Sequence, residues 1–438
     1  MDRRSFLHYA LGATGLALIN ASFDRSPYRE PSKVLIVGAG VAGLFAGYLL
    51  QQKGIDFEII EGAARYGGRL KKLEGFADYT LDLGAAWLHG HRSIVGKIAR
   101  KNQVAYTEDQ SDLVYWHQGK LLKVLPRTVK DLIYAYPVAK ECSLLEYASK
   151  QGFDESYKYI LEALAGDYGA GASELSVLST RKEEHNWSSG NRDFRFEASY
   201  FDLIDQHIVP AVRSKIRLNS RIVSVDYTLG KPQIIDQQGK SYRGDKVLLC
   251  VPITVLQQKD IRFIPAIDAQ KQAAFEAIPM GPGLKVFLKF KQSFYHQNIV
   301  GGSVCAAYAD ACVGKKGKDK VLMAFIMGEQ AARLSDLPES KIVETLVAEL
   351  DNMYQGKASR WLEKAHVENW TKQPLIKGAY SYSSKGIANA RFLAAKSVDQ
   401  KLFFAGEAMH SDGHHQTVHG AVESAIESVD EILKQLAH

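Results

Sequence analysis

Three glycines with the spacing GxGxxG follow a short apolar run near the start of the chain. The run is Val34 to Val37, and the glycines are Gly38, Gly40 and Gly43. Between a buried strand and a helix, the first glycine permits a tight turn, the second lets backbone approach a pyrophosphate, and the third lets helix and strand pack closely. The start of the helix then offers N–H groups to the phosphates. This spacing predicts a dinucleotide site.

An acid and a second pair of glycines extend this site. Glu61 ends the next apolar run, 18 residues beyond Gly43, where an acid accepts hydrogen bonds from the adenosine ribose. Gly67, Gly68 and Arg69 follow directly. Two glycines and a cation at this point can wrap a second stretch of backbone around the pyrophosphate, so we predict FAD as the cofactor.

A strand, a helix and a second strand are needed to position these residues. Val34 to Val37 and Phe57 to Ile60 are rich in β-branched and apolar residues, which is typical of strands buried on both faces. Between them, Leu44 and Tyr48 recur at helical spacing, and Gly54 follows the predicted helix end. The segment is therefore a βαβ unit, and the fold class is α/β with a Rossmann-like FAD-binding domain.

A long amphipathic helix is predicted at the end of the sequence. Apolar residues from Val418 to Leu436 follow one helical stripe, and Thr417 is suited to be the N-cap. The partial positive charge of a helix start stabilises an anion, here the negative charge around N1 and O2 of a reduced flavin.

Ordered motifs across the chain resemble the flavin-dependent amine oxidases, a family that includes polyamine oxidases, monoamine oxidases and lysine-specific histone demethylases. The resemblance begins at Val34 and extends to the C-terminus. Its motifs are Glu61 with Gly67-Gly68-Arg69, the run Leu81 to Gly90, Val251-Pro252, Gly283 to Val286, Trp370 to Ser381, Leu402 to Glu407, and Thr417 to Ala421. It implies an amine oxidase fold, in which an α+β substrate-binding domain is inserted into the FAD-binding domain.

The resemblance also assigns cofactor contacts beyond the glycine motifs. Glu407 is expected at the ribityl or phosphate region, Val418 at the flavin ring, and the backbone of Ile222 at the adenine. Further cofactor contacts are expected at Gly84, Ala85, Trp87, Trp370 and Gly406.

The family resemblance assigns a role to Lys285 that the alternation of residues along its strand does not. Alternation along Gly283 to Phe290 places Lys285 and Lys289 on one face, which predicts a half-solvated strand and gives no preference to either lysine. The resemblance implies that Lys285 hydrogen-bonds a water at flavin N5. A positive charge there favours the anionic oxygen species formed when reduced flavin meets O2.

The resemblance places the substrate amine in a cage above the flavin. Tyr380 is expected to form one aromatic wall, and His89 to lie near the amine. Thr417 occupies the position of the opposite wall, where monoamine oxidases have a tyrosine and the histone demethylases a threonine. Tyr382 and His415 are both candidates for the second wall. Glu183, Glu184 and Glu197 are candidates for an acidic entrance, although a solvated charge run is also consistent with them.

Length and composition agree with a two-domain enzyme. The chain has 438 residues, 46% of them apolar, which is enough for two hydrophobic cores. A net charge of +6 without a basic run gives no reason to expect a nucleic acid partner, and the four cysteines show no metal spacing, so we predict no metal. Cys305 and Cys312 are close enough in sequence to pair in an oxidising compartment, but we assign no bond. We predict an FAD-binding domain over residues 31–90, 200–262 and 395–438, and a substrate-binding domain over 91–199 and 263–394, with helical runs such as Ser143 to Leu164 and Ser340 to Met353.

The first thirty residues differ from the rest. Arg3-Arg4 precedes the weakly apolar run Ala10 to Ala21, a pattern that resembles a bacterial twin-arginine signal peptide over residues 1–30. We therefore expect export by the twin-arginine (Tat) machinery to the periplasm or the medium. No stable membrane span is expected in the mature protein, because no segment has enough uninterrupted apolar residues.

Several functions are consistent with these motifs. The first is oxidation of a polyamine or another primary or secondary amine to an imine or aldehyde, with O2 giving hydrogen peroxide. A dehydrogenase that passes electrons to a redox protein such as a periplasmic cytochrome is an alternative. An L-amino-acid oxidase is another, although Trp87 to Gly90 stand where those enzymes usually carry a carboxylate-binding arginine, and Arg92 lies further along. The alternative without catalysis is an escort module for prenylated proteins.

Overall fold

The computed structural model describes residues 32–134, 140–387 and 389–437. They belong to one compact unit, which extends from Ser32 onward. The predicted signal peptide lies outside the described residues, and the predicted boundaries between two domains stay a prediction.

Strands of five sheets account for the β-structure of the described residues. In chain order they are β1 (Lys33–Val37), β2 (Asp56–Ile60), β3 (Lys72–Leu73), β4 (Leu81–Asp82), β5 (Trp87–His89), β6 (Tyr106–Glu108), β7 (Leu113–His117), β8 (Lys120–Leu122), β9 (Asp193–Phe196), β10 (Ile216–Arg217), β11 (Ile222–Asp226), β12 (Gln233–Asp236), β13 (Ser241–Arg243), β14 (Lys246–Leu249), β15 (Arg262–Ile264), β16 (Gly283–Phe290), β17 (Asn298–Val300), β18 (Ala307–Asp310), β19 (Lys320–Met327), β20 (Leu362–Asn369) and β21 (Leu402–Phe404).

Helices connect and cover these sheets. They are α1 (Val41–Gln52), α2 (Ile94–Lys101), α3 (Asp131–Tyr134), α4 (Leu144–Lys150), α5 (Lys158–Asp167), α6 (Val177–Asn186), α7 (Tyr200–His207), α8 (Val209–Val212), α9 (Ile253–Gln257), α10 (Ala269–Glu276), α11 (Gly328–Ser335), α12 (Glu339–Tyr354), α13 (Lys357–Trp361), α14 (Ala390–Ala395) and α15 (Val418–Leu436), with short 3₁₀ helices at Glu155–Tyr157, Arg213–Lys215 and Glu407–Met409. The predicted helix over Ser340 to Met353 is confirmed by α12. The predicted run Ser143 to Leu164 is two helices, α4 and α5, because Gly152 adopts a positive φ of 81° after α4.

A five-stranded parallel sheet carries the predicted βαβ unit. Its order is β10-β2-β1-β14-β21. Along β1, Val34 and Ile36 pack in one core with α1 and α15, whereas Leu35 and Val37 pack in a second core on the other face. The prediction of a strand buried on both faces, followed by α1 and then β2, is confirmed. The carboxyl ends of β1 and β2 meet at one edge, where ligands of such sheets bind.

A seven-stranded sheet is formed by β7, β8 and the strands from β16 to β20. Its order is β20-β16-β19-β18-β17-β7-β8, and β16 pairs with β19 and β20 on its two sides. Leu284, Val286 and Leu288 pack in a core with residues of α11 and α12, as the alternation predicts.

The other face of β16 differs from the prediction. Phe287 packs with residues from Phe76 to Leu83, and Lys285 is 5% exposed. The prediction of a half-solvated strand is therefore wrong, because a distant segment of the chain covers the second face. Among the described residues, no helix has the length and apolarity needed to cross a membrane.

Candidate active site

The turn between β1 and α1 forms a cradle of the kind predicted for a dinucleotide. Gly38 has φ +105°, and a Cβ at Gly43 would lie 2.0 Å from the Gly38 carbonyl oxygen, so neither position accommodates a side chain. A Cβ at Gly40 would instead enter open space, and Gly40 is the N-cap of α1 without a side-chain hydrogen bond. The start of α1 therefore offers N–H groups to an anion in front of Gly40, which is the fit that a dinucleotide pyrophosphate requires.

Glu61 holds this turn from the end of β2. Its two carboxylate oxygens accept the N–H groups of Ala39 at 2.6 Å and Ala63 at 2.8 Å. Burial raises the pKa of Glu61, although both N–H groups act against that rise. Ser220 donates its N–H to the Glu61 carbonyl at 2.8 Å, which brings the start of β11 and Ile222 to the same edge. The contacts of Glu61 with ribose and of Ile222 with adenine stay predictions.

The second glycine pair lies against the first. Gly40 and Gly67 form a parallel bridge, and the Gly67 N–H donates to the Ala39 carbonyl at 2.8 Å. A Cβ at Gly68 would lie 3.2 Å from the Gly40 Cα. Residues separated by more than twenty positions therefore form one backbone surface, as the second stretch of backbone around a pyrophosphate requires.

Arg69 joins this surface to the C-terminal motifs. Its Nη1 donates to Glu407 at 2.8 Å and to the Ala379 carbonyl at 2.9 Å. Burial opposes ionisation of Glu407, but Arg69, Ser381 and Arg391 outweigh it and hold the pKa of Glu407 below its usual value. Gly406, directly before Glu407, has open space where a Cβ would point. The structure thus brings together the motifs at 67–69, 379–381 and 406–407.

Helix α15 begins beside this junction. Thr417 is its N-cap: the Oγ1 accepts the Gly420 N–H at 2.9 Å and donates to the His414 carbonyl at 2.6 Å. The predicted N-cap is confirmed. Val418 is the first residue of the helix, and its contact with flavin stays a prediction, as does a role of Thr417 at the substrate.

Lys285 is held by backbone carbonyl groups. Its Nζ donates to the carbonyl of Gly84 at 2.5 Å and of Asp82 at 3.4 Å, and it lies 5.4 Å from the centre of the Trp87 ring. Burial lowers the pKa of Lys285 to about 7, with the charges of Arg195 and Lys315 acting in the same direction. The amine therefore changes its charge near neutral pH.

Trp370 and Ala85 meet the same backbone segment as Lys285. The Trp370 Nε1 donates to the Leu83 carbonyl at 2.8 Å, and the Ala85 N–H donates to the Arg69 carbonyl at 3.3 Å. Trp87 donates its Nε1 to Asp109 at 3.0 Å. The segment 82–87 is thereby fixed between the glycine motifs and β16, the position that the resemblance implies for the flavin edge.

Two acids that the sequence reasoning missed lie beside His89 and Tyr380. Asp193 accepts a hydrogen bond from the His89 Nδ1 at 2.8 Å, across the pair of strands β5 and β9. Asp167 ends α5, and the Tyr380 hydroxyl donates to the Gly166 carbonyl at 2.8 Å. A Cβ at Gly169 would lie 2.7 Å from the Tyr380 ring, so this turn supports the ring directly. Lone acids outside a motif give no sequence signal.

The charges in this region shift the pKa values of His89 and Asp167. Desolvation by the surrounding protein, together with the negative charge of Asp193, raises the pKa of Asp167 to about 7, although the residue itself is exposed. Burial lowers the pKa of His89, but Asp193 and Asp167 outweigh it and leave that pKa above its usual value. His89, Asp167 and Asp193 thus form one group of interacting side chains, which we call the acidic wall.

The other candidates from the sequence have protein partners. Glu183 pairs with His415 at 3.2 Å, Glu184 accepts from the Tyr168 hydroxyl at 2.6 Å, and Glu197 pairs with Lys316 at 2.9 Å. The engagement of His415 disfavours it as the second cage wall. Tyr382 is 6% exposed among apolar residues of α4 and α5, which disfavours it equally.

His410, His414 and Glu423 form a group with metal-ligating atoms within 4.8 Å of one another. The His410 Nδ1 accepts N–H groups of Asp412 and His414, each at 3.3 Å, which places the proton on Nε2, 3.2 Å from Glu423. The His414 Nε2 accepts the Ser188 N–H at 3.2 Å, and its Nδ1 lies 2.7 Å from Glu423. Both imidazoles therefore present an N–H to the carboxylate, an arrangement that disfavours a cation. Cys305 and Cys312 are both free.

Comparison with known proteins gives a consistent result. The profile of the family described as "Flavin containing amine oxidoreductase" matches residues 201–433, and that of an NAD(P)-binding Rossmann-like domain matches residues 36–99. Polyamine oxidase 4 of Oryza sativa subsp. japonica is 25% identical over 93% of this chain and 90% of its own length. Lysine-specific histone demethylase 1B of Mus musculus is 24% identical over 96% of this chain, which spans 55% of that relative.

Solved structures share the fold. Cyclohexylamine oxidase from Brevibacterium oxydans superposes with a TM-score of 0.79 at 19% identity, over 93% of this chain and all (100%) of its own. Putrescine oxidase bound to putrescine gives 0.79 at 19% identity, over 92% of this chain and 99% of its own. The predicted amine oxidase fold with a Rossmann-like domain is confirmed.

Proposed function

Because this chain belongs to the family of flavin-containing amine oxidoreductases, we propose that it oxidises an amine carrying a second positive charge, a diamine or polyamine, and passes the electrons to O2. It is an FAD-dependent amine oxidase by family. For a primary amine, R–CH2–NH2, O2 and water yield the aldehyde, ammonia and hydrogen peroxide. FAD supplies the acceptor for the hydride that leaves the carbon next to nitrogen.

The acidic wall is the observation that carries the choice of substrate. Asp167 and Asp193 lie beside Tyr380 and His89, where the resemblance expects the amine. Opposite charges attract, so two carboxylates favour a ligand with two ammonium groups. The names of the relatives, polyamine oxidase and putrescine oxidase, support the same class.

The acidic wall also disfavours an L-amino acid. The carboxylate of such a substrate would meet Asp167 and Asp193, and like charges repel. Arg92, the candidate partner for that carboxylate, is exposed.

The residues of the wall can also handle the proton of the substrate. Hydride leaves a neutral amine, whereas an alkylammonium ion has a pKa of about 10. A carboxylate with a pKa of about 7, such as that of Asp167, can accept this proton from a bound ammonium group. Lys285, held at the Gly84 carbonyl, positions the water that the resemblance expects near the flavin.

The test compares a diamine with a monoamine of equal length on the purified holoenzyme. We expect 1,4-diaminobutane to be oxidised with a kcat/KM severalfold above that of butylamine, since one additional ion pair with an exposed carboxylate contributes about 0.2–1 kcal/mol. Hydrogen peroxide should equal the O2 consumed. Equal kcat/KM values would contradict the role of the acidic wall. Reduction by amine without O2 consumption would instead indicate a redox protein as the acceptor.

The proposal includes export by the twin-arginine route, on the strength of Arg3-Arg4 in the sequence. That route carries folded proteins with their cofactor, which suits an enzyme that needs FAD. The mature protein would then act in the periplasm or the medium.

A further inference from the structure

A cluster of buried charges surrounds Lys285 on the side of the inserted sheet. Its members are Lys285 on β16, Asp82 on β4, Arg195 on β9, Asp109, and Lys315 in the loop 311–319; we call them the buried charge cluster. The side chains of Lys315 and Asp82 are 2% and 5% exposed, and those of Arg195 and Asp109 are 4% and 12% exposed. Charges with so little solvent around them require partners.

Each carboxylate of the cluster is paired with a cation other than Lys285. Lys315 lies 3.3 Å from the Asp82 Oδ2 and also donates to the Ala198 carbonyl, while the Asp82 Oδ1 accepts the Tyr200 N–H at 2.8 Å. Arg195 lies 3.6 Å from Asp109 and 4.4 Å from the centre of the Trp87 ring.

Lys285 is therefore the cation without a carboxylate of its own. Its Nζ partners are the carbonyls of Gly84 and Asp82, and the rings of Trp87 and Phe325 lie at 5.4 and 6.0 Å. Among the residues that the structure describes, no carboxylate oxygen lies within 4.0 Å of the Lys285 amine. Three cations thus share two carboxylates within the cluster.

We propose that Lys315 is a positioning residue for Lys285: by pairing with Asp82 it engages the carboxylate that would otherwise hold Lys285, and it leaves the Lys285 amine directed to the Gly84 carbonyl. The inference rests on the proposed function in one respect, namely that Lys285 acts at the flavin. Glycine conformation helps to place Lys315, because Gly314 has φ +75° and a Cβ there would lie 3.0 Å from the Arg195 Cβ.

The pairing has a measurable electrostatic consequence. The groups that act on Lys285 are Asp82 from β4, Arg195 from β9 and Lys315 from the loop, in addition to burial, and together they hold its pKa at about 7. Burial lowers the pKa of Arg195, and the charges of Asp109, Asp82, Asp310 and Cys312 act against that decrease. Removal of the Lys315 charge should raise the pKa of Lys285, and removal of the Asp82 charge should lower it.

The experiment measures Lys285 itself. In holoenzyme labelled with 13Cε-lysine, the Lys285 signal is identified by its loss in Lys285→Arg and is followed with pH. We expect a midpoint near 7 in the unchanged protein, about one pH unit or more higher in Lys315→Met, restored in Lys315→Arg, and lower in Asp82→Asn. Lys316→Met is the matched control, since Lys316 is adjacent but 82% exposed and paired with Glu197; it should leave the midpoint unchanged.

Opposite shifts in the two variants are a signature that loss of packing does not produce. A midpoint near the ordinary lysine value of about 10.4 in the unchanged protein would overturn the proposal, and this reading needs no charge variant to fold. Equal midpoints in Lys315→Met and the unchanged protein would also overturn the proposal. Thermal unfolding curves establish that both proteins are folded. Failure of the proposed function is a separate result, an absence of flavin reduction by amines, and does not affect the NMR midpoint.

Discussion

At the scale of single residues, loss of the buried Lys285 amine should affect the two half-reactions of the proposed enzyme to different extents. In Lys285→Met, reoxidation by O2 should slow about tenfold or more, because the positive charge matters most when an anionic oxygen species forms. Anaerobic reduction by amine should change far less. Stopped-flow absorbance of the flavin gives both rate constants on one sample.

Lys289→Met is the matched control for this prediction. Lys289 lies four residues further along β16 and pairs with Asp319 at 2.8 Å and with Glu363 at 3.3 Å, so its loss should leave both rate constants near their original values. An unchanged reoxidation rate in Lys285→Met would contradict a role of this amine with oxygen.

Asp167 should give the binding of a dication its pH dependence. Its pKa is raised to about 7, so the carboxyl is neutral below that pH and charged above it. The apparent Kd for a diamine in the reductive half-reaction should therefore fall as pH rises through about 7. In Asp167→Asn the Kd should be severalfold higher at pH 8 and should lack this step.

A monoamine serves as the control ligand for Asp167, since its Kd should depend less on the substitution. Retention of the step in Asp167→Asn would assign the titration to another group, such as His89.

Single residues also show what sequence reasoning misses. Asp167 and Asp193 belong to no motif, and nothing in the sequence shows that α5 and β9 bring them to Tyr380 and His89. Lys315 stands among other lysines in a loop, and its pairing with Asp82 joins positions more than two hundred residues apart. Thr417, by contrast, could be predicted as an N-cap, because capping is a local interaction.

At the scale of elements, two glycine substitutions in the β1–α1 turn should have different effects, one on FAD binding and the other on stability. A Cβ at Gly40 enters open space, so Gly40→Ala should leave the stability of the protein without FAD within about 0.5 kcal/mol but raise the Kd for FAD about tenfold or more. A Cβ at Gly43 would lie 2.0 Å from a backbone oxygen, so Gly43→Ala should lower the free energy of unfolding by about 2 kcal/mol or more.

Denaturant unfolding of protein without FAD and fluorescence titration with FAD measure the two effects separately. Gly230→Ala is the control, because a Cβ at Gly230 meets nothing within 4 Å and Gly230 belongs to none of the motifs. Unimpaired FAD binding by Gly40→Ala would contradict the placement of the pyrophosphate at the start of α1.

Elements with a strong local pattern could be predicted with their bounds nearly correct. The βαβ unit, α12 and α15 belong to this group, because the apolar residues of a helix recur with its period and those of a buried strand form a continuous run in the sequence. For β16, the alternation predicted the strand and its apolar face but not the burial of Lys285, since the segment from Phe76 to Leu83 that covers it is distant in sequence.

At the scale of the whole molecule, the proposed export is tested through Arg3 and Arg4. Replacement of both by Lys should retain active, yellow protein in the cytoplasm, because the twin-arginine route requires the arginine pair. Fractionation of cells with a flavin absorbance and activity readout measures the distribution. Export of the Lys-Lys variant as efficient as that of the unchanged protein would contradict this route.

The family and its cofactor follow from motifs spread over the whole chain, whereas the substrate does not. Gly40 with Gly67, Arg69 with Glu407, and Trp370 with Leu83 are contacts between distant motifs, and each motif is recognisable alone. The acidic wall has no such motif, and it depends on how α5 and β9 pack beside β5 and Tyr380.

Anaerobic titration of the purified holoenzyme with a diamine tests whether FAD accepts the electrons of an amine. We expect the visible absorbance of the flavin to bleach with one equivalent of diamine per FAD, the aldehyde or imine product to appear in equal amount, and air to restore the absorbance with hydrogen peroxide formed. A flavin that stays oxidised with every diamine, polyamine and monoamine, yet bleaches with dithionite, would contradict this expectation.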